Sequence, residues 1–260
     1  MTCKTFLAAS LLACGASLHA QTAARPPLFT PSDAWWSAAF LAGSLVLSTR
    51  DDEIAAGWNN TEHRSASRDR LARNFAKVQE GSLTVGNLAL WGIARLTKMD
   101  GVADVTLHAA EGVIIGSLAS QVIRGPLGRS RPHVTEYKDQ YDFKPLRGFR
   151  EFQYRAFPSI HTASSFAVAT VYTLEAKRRN PTAAWIVGPL VYTLAAGPGV
   201  SRMYTGQHWA SDILAGAFMG TLAGAKVVRY NHDVRPDNRV NRFMLGQQAG
   251  AVNLTYSFTF

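Results

Sequence analysis

Apolar residues recur at helical spacing along most of this chain, in stretches set apart by polar segments and Gly/Pro-marked turns. Ser32 and Asp33 can cap a helix over 35–49. Residues 50–80 are polar and charged, with a short helix over 68–78. An apolar helix over 83–96 stops at Lys98-Met99-Asp100-Gly101. A long helix over 102–123 follows, with Arg124 at its C-terminal end and Gly125-Pro126 as its breaker. Residues 125–157 read as a long loop rich in Arg, Tyr and Phe, and loops of this length in a compact domain tend to be functional. The next helix starts at Ser159 and ends near Lys177-Arg178-Arg179, stopped by Asn180-Pro181. One more covers 183–196, kinked or interrupted at Pro189, before Gly197-Pro198-Gly199 turns the chain. The last runs over 209–228 and carries Gly216, Gly220 and Gly224 at four-residue spacing, a close-packing face. Residues 252–260 alternate with period two and read as a strand. The pattern predicts an all-α fold: an up-and-down bundle of about six core helices with a short C-terminal β tail.

The N-terminus has the form of an export signal. Lys4 precedes an apolar run over 6–18, and Leu18-His19-Ala20 offers a small-residue cleavage site before Gln21. An alternative is lipoprotein processing at Cys14 within Leu11-Leu12-Ala13-Cys14. Both cysteines, Cys3 and Cys14, lie in this leader, so cleavage at Ala20 leaves a chain without thiol or disulfide chemistry. The expected division is a signal peptide over 1–20, a Pro/Ala-rich tether over 21–31, a helical domain over 32–230 and a tail over 231–260. The uncharged apolar runs are mostly 12–15 residues, short of the roughly 20 that span a bilayer. A soluble or membrane-associated bundle, exported to the periplasm or cell envelope, is therefore expected; an integral inner-membrane protein is the alternative. A net charge of +9 favours acidic partners. No Lys/Arg block with interleaved aromatics points to nucleic acid, which leaves phosphorylated small molecules, lipid phosphates and a membrane surface.

Three segments carry chemistry. In Ser201-Arg202-Met203-Tyr204-Thr205-Gly206-Gln207-His208-Trp209-Ala210-Ser211-Asp212, His208 and Asp212 sit one helical turn apart, so the carboxylate can fix the imidazole's tautomer. Arg202 supplies a fork of donors for phosphate oxygens. In Arg124-Gly125-Pro126-Leu127-Gly128-Arg129-Ser130-Arg131-Pro132, Arg124 and Arg131 flank a Gly/Pro turn. In Phe157-Pro158-Ser159-Ile160-His161-Thr162, a helix N-terminus can receive an anion, with a hydroxyl from Ser159 and an acid from His161. Each segment alone also has an ordinary structural reading: an exposed His/Asp pair, solvated charge in a loop, a plain N-cap. In an up-and-down bundle all three fall at one end, and together they make a tetrahedral oxyanion pocket. The sequence has no P-loop, dinucleotide fingerprint, Cys/His metal cluster or Gly-x-Ser-x-Gly elbow to compete with that pocket.

Read together, the segments resemble the signature of the type 2 phosphatidic acid phosphatase (PAP2) family, which shares its site with bacterial class A acid phosphatases and vanadium haloperoxidases. The matching pattern is a basic residue, six residues and Arg-Pro; Pro-Ser-x-His; then Ser-Arg, five residues, His, three residues and Asp. The resemblance covers about residues 81–228. It implies an all-helical core and a metal-independent phosphatase, a phosphoric ester hydrolase needing no cofactor and working through a phosphohistidine. By resemblance His208 is the nucleophile, Asp212 its orienter and His161 the general acid. By the same resemblance Arg124, Arg131, Ser159, Ile160 and Arg202 are the expected phosphate contacts. Two positions depart from the family: Arg124 replaces the usual Lys, and Ile160 replaces the usual Gly, keeping a backbone N–H but adding a Cβ that would crowd a close approach. The alternatives are a vanadate-dependent haloperoxidase and a non-catalytic anion- or lipid-binding envelope protein.

Overall fold

The computed structural model describes residues 25–234, 243–248 and 251–256. The expected signal peptide over 1–20, the start of the tether and the last residues of the expected strand, 257–260, lie outside the described residues. The fold is all-α. Its helices are α1 (Pro31–Ser48), α2 (Asp51–Asn59), α3 (Ala66–Phe75), α4 (Glu80–Leu96), α5 (Asp100–Leu127), α6 (Ile160–Arg179), α7 (Pro181–Tyr204) and α8 (Ala210–Arg229). α8 runs on into a π-turn at Tyr230–Val234. The backbones of Phe243–Gln248 and Ala251–Tyr256 pair antiparallel, Phe243 opposite Tyr256.

α6 is the central helix. It packs mainly on α5, α7 and α8, and more lightly on α4. The glycines of α8 set the closest seam. A Cβ at Gly216 would collide with the Ser159 carbonyl oxygen and one at Gly220 with the Ala163 carbonyl oxygen; at Gly224 it would come within 2.6 Å of the Ala167 oxygen. Each step of four along α8 thus matches a step of four along α6, so the two helices run parallel with their backbones nearly touching. On α5, Gly116 faces Ala163 and Gly112 faces Ala167 and Val171, an antiparallel arrangement. The up-and-down order therefore brings the end of α5, the start of α6 and the α7–α8 turn to one end.

Two expected breaks are absent. α5 continues through Gly125-Pro126 to Leu127 and ends at Gly128, whose φ of 62° is the left-handed C-cap. Pro126 falls in the last turn, so the bond it cannot donate to the Val122 carbonyl is one of the last in the helix. α7 continues through Pro189 and through Gly197-Pro198-Gly199 to Tyr204. The Ser201 hydroxyl donates to the Pro198 carbonyl at 2.8 Å and the Thr193 hydroxyl to the Pro189 carbonyl at 2.7 Å within this helix. With those breaks gone the helices are longer than the charge-free runs suggested. Asp100–Leu127, Pro181–Tyr204 and Ala210–Val234 are each long and apolar enough to cross a membrane. Large apolar side chains also stand exposed on the outer faces, among them Leu45, Ile93, Val122, Trp185 and Ile186. That is a surface suited to lipid rather than water. These features mark a membrane protein: the expected membrane association stands, and of the two expectations the integral alternative fits the helices.

Candidate functional site

The three sequence segments meet where the topology puts them. Arg124 sits buried in the last turn of α5, and its Nε and a terminal nitrogen both donate to the Arg155 carbonyl, at 3.1 and 2.6 Å. Arg131 is buried in the following loop, donates to Gln207 Oε1, and lies under the Phe152 ring, its Cζ 3.9 Å from the centroid. Arg202 is in the last turn of α7 and donates to His161 Nε2 at 2.5 Å. Arginine has no acceptor, so His161 Nε2 is the acceptor here and the neutral ring carries its proton on Nδ1. His208 and Asp212 straddle the start of α8, with His208 Nδ1 3.5 Å from Asp212 Oδ2. Ser159 is the N-cap of α6; its N–H donates to the Asp212 carbonyl at 3.0 Å, and its hydroxyl accepts from Thr162 at 3.0 Å. Ile160, the first residue of α6, has its side chain buried in the protein. The N–H groups of that first turn have no intrahelical acceptors.

Electrostatics define what this pocket wants. Arg124, Arg131 and Arg202 lie within electrostatic reach of one another and of His161. Burial, with Arg124 and Arg202 alongside, pushes the Arg131 guanidinium down to about 9. Burial likewise pushes the His208 imidazole down to about 4, against the pull of Asp212 and with Arg131 and Arg124 adding repulsion. Glu80, at the start of α4, is a counter-charge within reach of Arg124 and Arg202. Buried Nε atoms of Arg131 and Arg202 and Nδ1 of His161 have no hydrogen-bond partner among the described residues. Crowded cations with unused donors in a buried site suit an anion, whose charge and oxygens would satisfy both.

A second layer was not singled out in the sequence. Arg129, buried, donates to Asp212 Oδ1 at 2.6 Å, Ser211 Oγ at 2.8 Å and Asp51 Oδ2 at 2.8 Å. Asp51, the first residue of α2, also accepts from the Ser211 N–H at 2.9 Å and from the Ser211 hydroxyl. Burial raises the Asp51 carboxyl above its ordinary range, against the pull of Ser211 and Arg129. Asp212 Oδ2 accepts the Trp209 N–H at 2.8 Å, capping α8. Trp209 is fully buried and its indole N–H donates to the Ser130 carbonyl at 2.9 Å, which ties the arginine loop to α8. The carbonyl of Arg202 accepts from Gln207 and His208 N–H groups at 2.8 and 3.3 Å, so the turn folds back on the end of α7. Arg129 stands two residues from Arg131 in the quoted segment. Asp51 lies in a polar stretch where no local pattern marks it.

The loop aromatics divide between packing and exposure. Tyr154 is buried, whereas Phe149 and Phe152 are largely exposed. Phe152 and Gln153 join Arg131, His133, Glu151 and Gln207 around a surface depression that reaches the cluster at Arg131 alone.

A helical fold around a buried polycationic pocket defines an oxyanion-handling protein. The chain belongs to the PAP2 superfamily, whose family model matches residues 106–236, about half of the chain. Its fold is similar to the first transmembrane PAP2-type phosphatidylglycerolphosphate phosphatase from Bacillus subtilis, with a TM-score of 0.58 and 19% identity over 76% of this chain and 96% of that one. A crystal structure of Aquifex aeolicus LpxE aligns with a TM-score of 0.46 and 22% identity over 68% of this chain and 94% of that one. In sequence, 71 residues are 45% identical to lipid A 1-phosphatase of Porphyromonas gingivalis, covering 26% of this chain and 15% of that protein. The chain thus matches a small part of that relative's length.

Proposed function

We propose that this protein is a phosphoric ester hydrolase of the cell envelope acting on a lipid phosphate through a phosphohistidine on His208. The observation that carries the reading is the pocket itself: Arg124, Arg131 and Arg202 buried together beside two histidines, with donor atoms unused. Phosphoryl transfer asks mainly for positioning and charge neutralisation, which such a pocket supplies. The named relatives, two of them phosphatases of lipid phosphates by name, and the apolar outer surface of the helices support a lipid over a soluble ester.

In this mechanism the phosphate dianion sits among the three guanidinium groups and the first-turn N–H groups of α6, Ile160 included. Its arrival engages the Arg202 fork that otherwise holds His161 Nε2, and that nitrogen takes up a proton. His208 Nε2 attacks phosphorus; the P–N bond forms as the P–O bond to the alcohol breaks, and His161 gives its proton to the leaving oxygen. Asp212 accepts the His208 Nδ1–H, a contact that tightens from 3.5 Å when the site is loaded. Water, losing a proton to His161, then attacks phosphorus and breaks the P–N bond, releasing inorganic phosphate. Arg129 and Asp51 touch no substrate; they position Asp212.

The test is a substrate panel on purified protein with chelator present, comparing phosphatidic acid, polyprenyl pyrophosphate and soluble monoesters. Turnover of the lipid phosphates well above the soluble esters is expected. Equal turnover of all three removes the lipid assignment, and tight phosphate binding without turnover favours a non-catalytic anion-binding protein.

A further inference from the structure

A second buried polar cluster lies at the other end of the bundle. Glu175, on α6 about four turns beyond His161 and so roughly 20 Å from it at 1.5 Å per residue, is fully buried. Its Oε1 accepts from His108 Nδ1 of α5 at 2.7 Å and from His232 Nε2 of the π-turn after α8, also at 2.7 Å. The two imidazole rings meet edge to face with centroids 5.3 Å apart. One ligand atom from each residue lies within 4.8 Å of the others. His108 Nε2 and Glu175 Oε2 are buried without a hydrogen-bond partner among the described residues; Arg179 approaches Oε2 to 3.5 Å. The phosphoryl chemistry uses none of these groups, and burying them is expensive unless something repays it.

We propose that His108, Glu175 and His232 form a site for a divalent transition-metal ion of the zinc type, clamping α5, α6 and the end of α8 together. Two imidazole nitrogens and one carboxylate oxygen are a standard zinc donor set, with a fourth position left for water from the half-open side of His232. Around a tetrahedral ion such donors stand about 3.4 Å apart, so the cluster opens by about 0.7 Å from its 2.7 Å hydrogen bonds. On binding, the ring protons now shared with Glu175 move to the far nitrogens, His108 Nε2 and His232 Nδ1. Glu111 follows His108 by three residues on α5, within its electrostatic reach, and is itself held by Asn231 at 2.8 Å, a carboxylate suited to orient a ligating imidazole. A π-turn is a frequent device for placing a functional side chain, and here it delivers His232. The three ligands come from distant parts of the sequence, so no local spacing announces them.

The experiment uses the full chain without a polyhistidine tag, purified in detergent, stripped with chelator and returned to chelator-free buffer. Zinc content after gel filtration, thermal midpoint with and without zinc, and the visible spectrum with cobalt are read. Expected are one zinc per chain, a midpoint raised by several degrees, and tetrahedral cobalt bands. His232→Ala, at a partly exposed position, should fold with unchanged near-UV circular dichroism yet lose the zinc, the midpoint shift and the cobalt bands; Glu175→Gln should lose them too. Absence of zinc uptake by the folded parent overturns the proposal. So does zinc uptake that persists in both variants. Neither result bears on phosphate release, which is measured separately.

Discussion

Replacing Arg129 by Met tests whether the second layer holds the pocket. Arg129 is 2% exposed and bonds Asp212 at 2.6 Å and Asp51 at 2.8 Å, both carboxylates fully buried. Removing the guanidinium leaves two buried acids facing one another, a loss of about 3–5 kcal/mol by the usual cost of breaking a buried pair. At about 2–4 °C per kcal/mol for a chain of this size, the thermal midpoint in detergent should fall by about 6–20 °C. Arg129→Lys, keeping the charge but losing the fork, should fall between. Asp51→Asn alone leaves Arg129 paired with Asp212, and combining it with Arg129→Met should cost less than the sum by about 0.5–3 kcal/mol, since the two share one network. In turnover, Arg129→Met and Arg129→Lys should lower kcat with KM little changed, because Arg129 positions Asp212 and does not touch phosphate. A midpoint within 2 °C of the parent, or strict additivity in the double variant, would refute this reasoning.

Other outcomes follow from the same geometry. Gly220→Val should destabilise by about 1–3 kcal/mol through overpacking against Ala163, whereas Gly92→Ala, whose Cβ meets nothing within 4 Å among the described residues, should be neutral or slightly stabilising; thermal midpoints compare them. Ile160→Gly should cost about 2–5 kcal/mol of stability for the lost buried side chain while KM for the phosphate ester stays within a few-fold, since the N–H is kept. The acid limb of kcat/KM should lie near pH 4 and not near 6.5, because burial keeps His208 neutral and nucleophilic down to that range. The same depression has a stability sign. Between the unfolded value near 6.5 and the folded value near 4 the unfolded chain holds the extra proton, so stability is full above that window and falls as pH drops through it.

The chemistry was more legible than the lengths. His208 and Asp212 are local, Arg124 and Arg131 flank one turn, and a helical count places Ser159 and His161 at an N-terminus, so the pocket could be assembled from spacing and one topological rule. Gly125-Pro126 and Gly197-Pro198-Gly199 misled because Gly and Pro weaken a helix by an amount that tertiary packing can outweigh. Running through them lengthened α5 and α7 and changed the reading of the solvent. Asp51 and Arg129 were missed for the opposite reason: their pairing joins residues far apart in the chain, and nothing in a polar stretch marks one Asp from another. The Gly216–Gly224 row was visible, but which backbone it touches only the packed helices reveal.

The most direct measurement of the central claim is phosphate release from phosphatidic acid, with chelator present, by the parent and by His208→Ala verified as folded. The account predicts sustained release by the parent and a loss of at least about a thousandfold in the variant, as for removal of a covalent nucleophile. Undiminished release by His208→Ala would contradict it.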